Sequence, residues 1–176
     1  CASCVVDIGG ISFGLSICED IWNAEPALKA QKAGAQCLLN LNASPFHKGK
    51  LRERIAVVSA RAKALCLPII YVNQIGGQDE LVFDGGSFAV DGNGELRVCA
   101  PQFVEATAVV SCHTDDADVV FNSGNIAAQM EDLQSIWRAL ELGLQDYVAK
   151  NGFPGVVLGL SGGIDSAVTL AIAVDA

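Results

Sequence analysis

Two continuous apolar runs, QCLLNL at 36–41 and IIYVN at 69–73, most constrain the fold of this chain. Between them, apolar residues recur at helical spacing from Lys50 to Leu65. An uninterrupted apolar strand is typical of a sheet that is covered on both faces, and parallel neighbours need a long crossover between them. The pattern therefore predicts a β–α–β unit at the centre of an α/β layer.

Further elements are predicted on both sides of this unit. Residues 4–17 indicate two short strands joined by a turn, and 25–35 indicate a helix with a proline near its start. The glycine-rich stretch 73–86 predicts a loop, and 87–100 predicts a hairpin with its turn at Asp-Gly-Asn-Gly. The polar, acidic stretch 113–125 is typical of a linker or a surface crossing.

A second unit is predicted near the end of the printed sequence. A helix is expected from 126 until just before Asn151, followed by a strand in GVVLGL (155–160), a Ser-Gly-Gly turn and another helix. We therefore expect a first domain over 1–118, a connector and helix over 119–150, and the start of a second domain over 151–176. The predicted helical stripe consists of Ile126, Met130, Leu133, Trp137, Leu140, Leu144 and Val148.

Composition excludes several classes of protein. With 51% hydrophobic and 18% charged residues, the chain is expected to build a packed core, and a net charge of −9 disfavours nucleic acid or an anionic membrane as partner. No apolar run approaches the roughly 18 residues of a spanning helix. The seven cysteines lie mostly in apolar runs, which predicts reduced, buried thiols in a cytoplasmic protein. Cys1 and Cys4 have the spacing of a redox or zinc pair, but no second pair or nearby histidine completes a metal site.

Cys18 is a candidate nucleophile. It ends the apolar run GLSIC and is followed by Glu19 and Asp20, whose charges alone would raise its pKa, so a nearby cation or base is required. The alternative is an ordinary buried cysteine. The sequence holds two histidines: His47 lies in a polar loop, where it is either a base for a Cys–His dyad or an unrelated loop residue, and His113 is expected to be solvated.

The stretch LGLSGGIDSA (158–167) is a candidate phosphate loop. Backbone N–H groups of a glycine-rich turn that opens onto a helix form a site of partial positive charge, and serine hydroxyls add donors. Ser161, Gly162, Gly163 and Ser166 would supply these groups. No Gly-Lys-Ser/Thr follows, so the loop is not of the Walker type. The alternative is a tight strand-to-helix turn with a capping serine.

Four motifs occur in order: GLSICEDIW, LLNLNASPFHKGK, IIYVNQIGGQDELVFDGGS and LGLSGGIDSA. Together they resemble the glutamine-dependent NAD(+) synthetases, in which a nitrilase-type amidase is fused to an ATP-dependent amidating domain. The resemblance implies an α/β fold: part of a nitrilase-type α-β-β-α sandwich, followed by the first βα unit of a doubly wound PP-loop (ATP pyrophosphatase) domain. It also implies a cytoplasmic enzyme whose parent protein forms a homo-oligomer.

For the first domain, the resemblance implies hydrolysis of glutamine by a Glu-Lys-Cys triad with Cys18 as the nucleophile. The backbone N–H of Glu19 would help to bind the oxyanion, and Glu19, Trp22 and Ser44 would line the glutamine pocket. In this family the glutamate and lysine precede the cysteine, but the residues before Cys18 include neither type, so no partner is assigned. Without the family match, Ser44 could equally cap a turn or helix. Asp84 either receives the α-amino group of glutamine or holds a turn.

For the second domain, the resemblance implies that Ser161, Gly162, Gly163, Asp165 and Ser166 bind the pyrophosphate of ATP, with Asp165 as a candidate ligand of Mg²⁺. The carboxylate of deamido-NAD(+) would attack the α-phosphorus, and ammonia from glutamine would convert the adenylate to NAD(+). Two alternatives stay open. One is an amidase that serves another PP-loop enzyme, and the other is a non-catalytic remnant or interaction module.

Overall fold

The first unit is built around one six-stranded sheet. The computed structural model describes residues 4–116 and 118–176. Strands β2 (Ile11–Ile17), β3 (Cys37–Asn42) and β4 (Ile69–Asn73) run parallel, as predicted for the last two, and the outer strands pair with their neighbours in antiparallel fashion. The order across the sheet is β1 (Cys4–Ile8), β2, β3, β4, β7 (Phe88–Val90) and β8 (Leu96–Cys99).

Two crossover helices, α1 (Ala24–Lys32) and α2 (Lys50–Leu65), cover one face of this sheet. The predicted bounds of α2 and β4 match the structure. Helix α1 lies so close to β2 that a Cβ on Gly14 would come within 2.9 Å of the Cβ of Ala30. The small side chains on α1 therefore let the helix layer pack directly on the sheet. The core between sheet and helices includes Leu38, Val58, Ala62, Ile69, Phe88 and Val90.

Two segments that the sequence predicts as irregular form paired strands instead. The expected glycine-rich loop contains a hairpin of β5 (Ile75–Gln78) and β6 (Leu81–Asp84). The expected linker contains the antiparallel pair β9 (Cys112–Asp115) and β10 (Asp118–Phe121). Val119 and Phe121 are buried against the face of the sheet opposite the helices, so apolar burial outweighs the polar composition of this segment. Because Val119 and Phe121 belong to this buried cluster, the core of the first unit includes residues beyond 118.

Helix α3 (Asp132–Lys150) begins six residues later than predicted, because Ile126 pairs with Cys99 as extended backbone. The prediction of its buried face was also wrong in part. Leu133 is 82% exposed, whereas Ser135 and Ala139 are buried. Small residues face the β5–β6 hairpin because they allow close approach: a Cβ on Gly77 would lie 3.0 Å from the Cα of Gly143.

The last helix, α4 (Ile164–Asp175), follows the Ser-Gly-Gly turn as predicted. It contacts α3 through a 2.8 Å hydrogen bond from Trp137 Nε1 to the Asp175 carboxylate. The predicted strand at 155–160 is absent from the described chain, and Val157 within it is fully exposed. A parallel strand exists only when neighbouring strands accept and donate its backbone hydrogen bonds, and no described strand lies beside this segment.

The cysteines are less buried than predicted. All six described cysteines are free thiols: Cys37 and Cys99 are buried, and the others, Cys4, Cys18, Cys66 and Cys112, are exposed. Cys1, one half of the proposed redox or zinc pair, lies outside the described residues. Within the described ranges, each helix is too short or too polar to cross a bilayer.

Candidate active site

Cys18 stands where β2 leaves the sheet. It begins a short 3₁₀ turn over Cys18–Ile21, and its backbone adopts a left-handed conformation with φ of 44°. Such a conformation costs a residue with a Cβ of the order of 1–3 kcal/mol and is enriched at functional sites, although Cys66 adopts it at a helix end. Asp20 stabilises the turn by accepting a 2.9 Å hydrogen bond from the N–H of Ile17. The thiol is thus exposed at the carboxyl edge of a parallel sheet, where open α/β folds place their ligands.

The first turn of this 3₁₀ segment leaves backbone donors beside the thiol. N–H groups in the first turn of a helix have no partner within the helix, and that of Glu19 immediately follows the nucleophile. The Glu19 side chain is exposed. Trp22 is half-buried at the end of the turn, with the ammonium group of Lys50 4.3 Å from its ring centroid. Glu19 follows Cys18 directly and Trp22 ends the same turn, and their place in a glutamine pocket stays a prediction.

Ser44 lies just beyond β3, at the same edge of the sheet. It is buried, its N–H donates to Asn73 Oδ1 at 2.8 Å, and its Oγ accepts from Arg54 Nε at 3.1 Å. The alternative role as a turn or helix cap is not what the structure shows. Because Asn73 ends β4, the loop that carries Ser44 is tied to both neighbouring strand ends.

Asp84 is fully buried and holds no exposed oxygen. Its Oδ1 accepts from Arg54 Nη1 at 2.8 Å, and its Oδ2 accepts from Gln102 Nε2 at the same distance. This geometry favours the second of the two roles considered above, in which Asp84 holds the local structure.

Arg54 was missed in the sequence, although a signal was present. Leu51, Val58 and Ala62 set the buried stripe of α2, and Arg54 falls on that stripe. A charged residue at a core position needs a buried partner, and Asp84 is that partner.

The Tyr71 hydroxyl lies near Arg54, Ser44 and Cys18. Tyr71 is 1% exposed and stacks on Phe88, and its hydroxyl makes no hydrogen bond of normal geometry among the described residues. Burial raises the pKa of this hydroxyl, whereas the charge of Arg54 and the hydroxyl of Ser44 lower it. The hydroxyl therefore lies within electrostatic range of both the nucleophile and the buried ion pair.

Beneath the thiol, polar side chains continue across the strands. Ser16 on β2 accepts from Asn40 Nδ2 at 3.0 Å, and Asn40 Oδ1 accepts from Asn42 at 2.7 Å. The histidines take no part in this cluster: His47 is exposed beside Glu53, and His113 is exposed on β9. The described contacts do not join either histidine to Cys18, so the dyad has no support.

The candidate phosphate loop is organised by its own serines. Ser166 Oγ accepts from the N–H of Ser161, lies 3.0 Å from Ser161 Oγ and donates to the carbonyl of Gly163. Gly162 has φ of 85°, and a Cβ there would meet nothing within 4 Å, so conformation rather than crowding requires glycine. The N–H of Gly163 donates to Ser161 Oγ, and the N–H groups in the first turn of α4 have no acceptor within the helix.

Asp165 is the single carboxylate of this loop. Within the described ranges, no three His, Cys, Asp or Glu side chains come together as a metal cluster. One carboxylate with serine hydroxyls is an incomplete set of ligands for Mg²⁺, which prefers six oxygens and commonly shares substrate phosphates. The residues of this chain therefore do not by themselves define a magnesium site.

Comparison with known proteins identifies the relatives of this chain. It is 44% identical over 179 residues to a glutamine-dependent NAD(+) synthetase from Xanthomonas campestris, covering 99% of this chain and 32% of that protein. A second such synthetase, from Rhodobacter capsulatus, is 43% identical and is matched over 31% of its length by 96% of this chain. The chain thus spans about a third of these relatives.

Comparison with solved structures points to the same kinds of protein. The glutamine-dependent NAD(+) synthetase from Acinetobacter baumannii, in complex with ADP, superposes with a TM-score of 0.92 at 43% identity, over 98% of this chain and 32% of that one. A Nesterenkonia amidase of the nitrilase superfamily superposes with a TM-score of 0.51 at 27% identity, over 56% of this chain and 37% of that one. The nitrilase-type fold is confirmed, whereas the start of a PP-loop domain stays a prediction. Since the carbon-nitrogen hydrolase profile matches residues 3–156, this chain belongs to the carbon-nitrogen hydrolase family.

Proposed function

We propose that this chain carries the glutamine-hydrolysing site of a glutamine-dependent NAD(+) synthetase, together with the first part of its ATP site. The observation that carries the proposal is Cys18, exposed on a left-handed turn at the carboxyl edge of the parallel strands. The two synthetases matched over nearly the whole chain support the choice of substrate.

In the proposed reaction, the Cys18 thiolate attacks the side-chain carbonyl carbon of glutamine. The N–H of Glu19 donates to the developing oxyanion. The C–N bond then breaks and ammonia departs, while the glutamyl group stays bound to Cys18 as a thioester. Water then cleaves the thioester, which releases glutamate and returns the thiol. The base and the cation that this chemistry needs are assigned to no residue of this chain.

The ammonia would serve an amidation that consumes ATP and deamido-NAD(+). The loop 161–166 presents N–H and hydroxyl donors suited to the phosphates of ATP. Mg²⁺, which accompanies ATP in such reactions, would neutralise phosphate charge there, with Asp165 as one candidate ligand. We also propose that the protein acts in the cytoplasm as a homo-oligomer.

The test uses the full-length protein that carries this chain. Cys18→Ala should abolish release of glutamate from glutamine and abolish NAD(+) formation driven by glutamine. Cys66→Ala is a matched control, because Cys66 is also exposed and also left-handed but ends helix α2. Glutamine hydrolysis by Cys18→Ala at the rate of the parent protein would overturn the proposal.

A further inference from the structure

Four of the five N–H groups of the Arg54 guanidinium donate to the framework around it. Besides Asp84 and Ser44 Oγ, the guanidinium donates to the carbonyl oxygens of Ser44 at 2.8 Å and Pro45 at 3.0 Å. Arg54 and Asp84 are both fully buried. Neither charge is therefore available to a ligand, and any effect of the pair on a ligand must pass through the residues that it holds.

Ser44 is the residue through which such an effect can pass. Arginine carries only donors, so Ser44 Oγ must be the acceptor in its bond with Arg54, and the hydroxyl proton of Ser44 is left for another partner. The Ser44 N–H and carbonyl are held as well, by Asn73 and Arg54. The position of the hydroxyl and the role of its oxygen are thus both fixed before a ligand arrives.

A second observation points to a ligand at this place. The Tyr71 hydroxyl is buried and makes no hydrogen bond of normal geometry in the described chain, but the Ser44 hydroxyl lies near enough to lower its pKa. Buried polar groups nearly always have partners, so an unpaired one needs an explanation. The Ser44 and Tyr71 hydroxyls therefore have only a weak contact with each other, which a polar substrate bound at Cys18 would replace with a stronger hydrogen bond.

We propose that Arg54 is a positioning residue for the amide substrate: paired with Asp84, it holds Ser44 as a hydrogen-bond donor toward an acceptor oxygen of the glutamine bound at Cys18. The inference rests on the proposed function, since it needs glutamine as the substrate. It assigns to Asp84 an indirect effect on glutamine in place of direct contact with the α-amino group.

Arginine suits this position better than lysine does. A planar guanidinium can donate to Ser44 Oγ, two carbonyl oxygens and Asp84 at once, because its donors diverge in one plane. A lysine ammonium has three donors on a flexible stem and cannot reproduce this set. Arg54→Lys therefore retains the buried charge for Asp84 while releasing Ser44.

The experiment is a double-mutant cycle in the full-length protein, with Ser44→Ala, Arg54→Lys and the double variant. Kinetic constants are measured for glutamate release from glutamine. We expect each single variant to lower kcat/KM about tenfold, mainly through KM, which is the scale of one lost hydrogen bond. The double variant should be no worse than the more affected single variant, because both changes remove the same contact. Arg52→Lys, an exposed arginine on the same helix, is the matched control.

A further measurement separates positioning from general damage. Methyl methanethiosulfonate has no amide oxygen for Ser44 to bind, so its rate of modification of Cys18, followed by mass spectrometry of the Cys18 peptide because other cysteines are also exposed, should match the parent protein in all variants. If Arg54→Lys lacks a cooperative thermal transition, Asp84→Asn replaces it in the cycle, since the amide has the same size and lacks the charge that orients Arg54.

Three results would overturn the inference: an unchanged kcat/KM in Ser44→Ala, effects of the two single variants that multiply in the double variant, or loss of Cys18 modification along with glutamine hydrolysis. Failure of the proposed function would look different. In that case the parent protein itself would show no glutamine hydrolysis that depends on Cys18.

Discussion

Replacement of Tyr71 by phenylalanine should stabilise the protein. The hydroxyl is buried and makes no hydrogen bond of normal geometry in the described chain, although the Ser44 hydroxyl lies near it, and leaving a buried polar group without a good partner costs about 1–3 kcal/mol. Phenylalanine keeps the ring, which stacks on Phe88 at a centroid distance of 4.9 Å, and the void left by one oxygen costs only a few tenths of a kcal/mol. We expect the free energy of unfolding to rise by about 1 kcal/mol and Tm by about 2–4 °C.

The assay is urea and thermal unfolding of Tyr71→Phe beside Tyr147→Phe. Tyr147 is 50% exposed, so its hydroxyl is already hydrated, and its removal should leave the free energy of unfolding within about 0.5 kcal/mol of the parent. A fall of 1 kcal/mol or more in Tyr71→Phe would refute the reasoning, because it would mean that the hydroxyl is well hydrogen-bonded in the folded protein.

The pH dependence gives an independent check on the same group. Burial raises the pKa of Tyr71 in the folded protein above the value near 10 of an unfolded chain. As pH rises past about 10, the unfolded state loses this proton and the folded state keeps it, so the parent protein loses stability. Tyr71→Phe lacks this loss, and its advantage should widen above pH 10.

Three further outcomes are expected. Because Cys18 is left-handed, Cys18→Gly should unfold with a free energy about 1 kcal/mol higher than that of Cys18→Ala in urea titrations, and an equal or lower value would contradict the strain. Gly77→Ala should loosen α3, since its Cβ would meet the Gly143 backbone at 3.0 Å; faster amide exchange confined to α3 is the readout, and unchanged protection would count against this packing. Burial raises the pKa of Cys37 to about 12, so its contribution to stability should decline as pH rises above about 9; a Cys37→Ala variant that shows the same decline would argue against this assignment.

The sequence predicted the elements whose patterns are local. The apolar runs of β3 and β4 and the helical spacing of α2 appear in the structure where they were expected. The β5–β6 hairpin was missed because its glycines have no side chain to produce an alternating pattern; they are present because α3 packs against the backbone there. The stripe on α3 was misassigned because part of it faces α4 and not the sheet, which periodicity alone cannot distinguish.

The candidate site was only partly predictable for a similar reason. Cys18 and Ser44 lie at or just beyond the ends of apolar strands, which gather at one edge of a parallel sheet, but their roles were predicted through the family motifs. The partnership of Arg54 with Asp84 joins residues thirty positions apart through the core, so only the structure shows that Asp84 faces inward. Tyr71 reads as an ordinary core residue in the sequence, and its unpaired hydroxyl becomes visible only when its neighbours are known.

The docking of α3 on the β5–β6 hairpin also protects the chain from self-association. Gly77 and Val82 lie opposite each other in the hairpin. On one open edge, the Gly77 N–H donates to Asp146 and its carbonyl accepts from Lys150; on the other, the Val82 carbonyl accepts from the N–H of Phe46. A two-stranded ribbon with free edges would offer a template to strands of other molecules. Here side chains and a loop occupy those positions, so the ribbon cannot recruit a third strand without first displacing the helix or the loop.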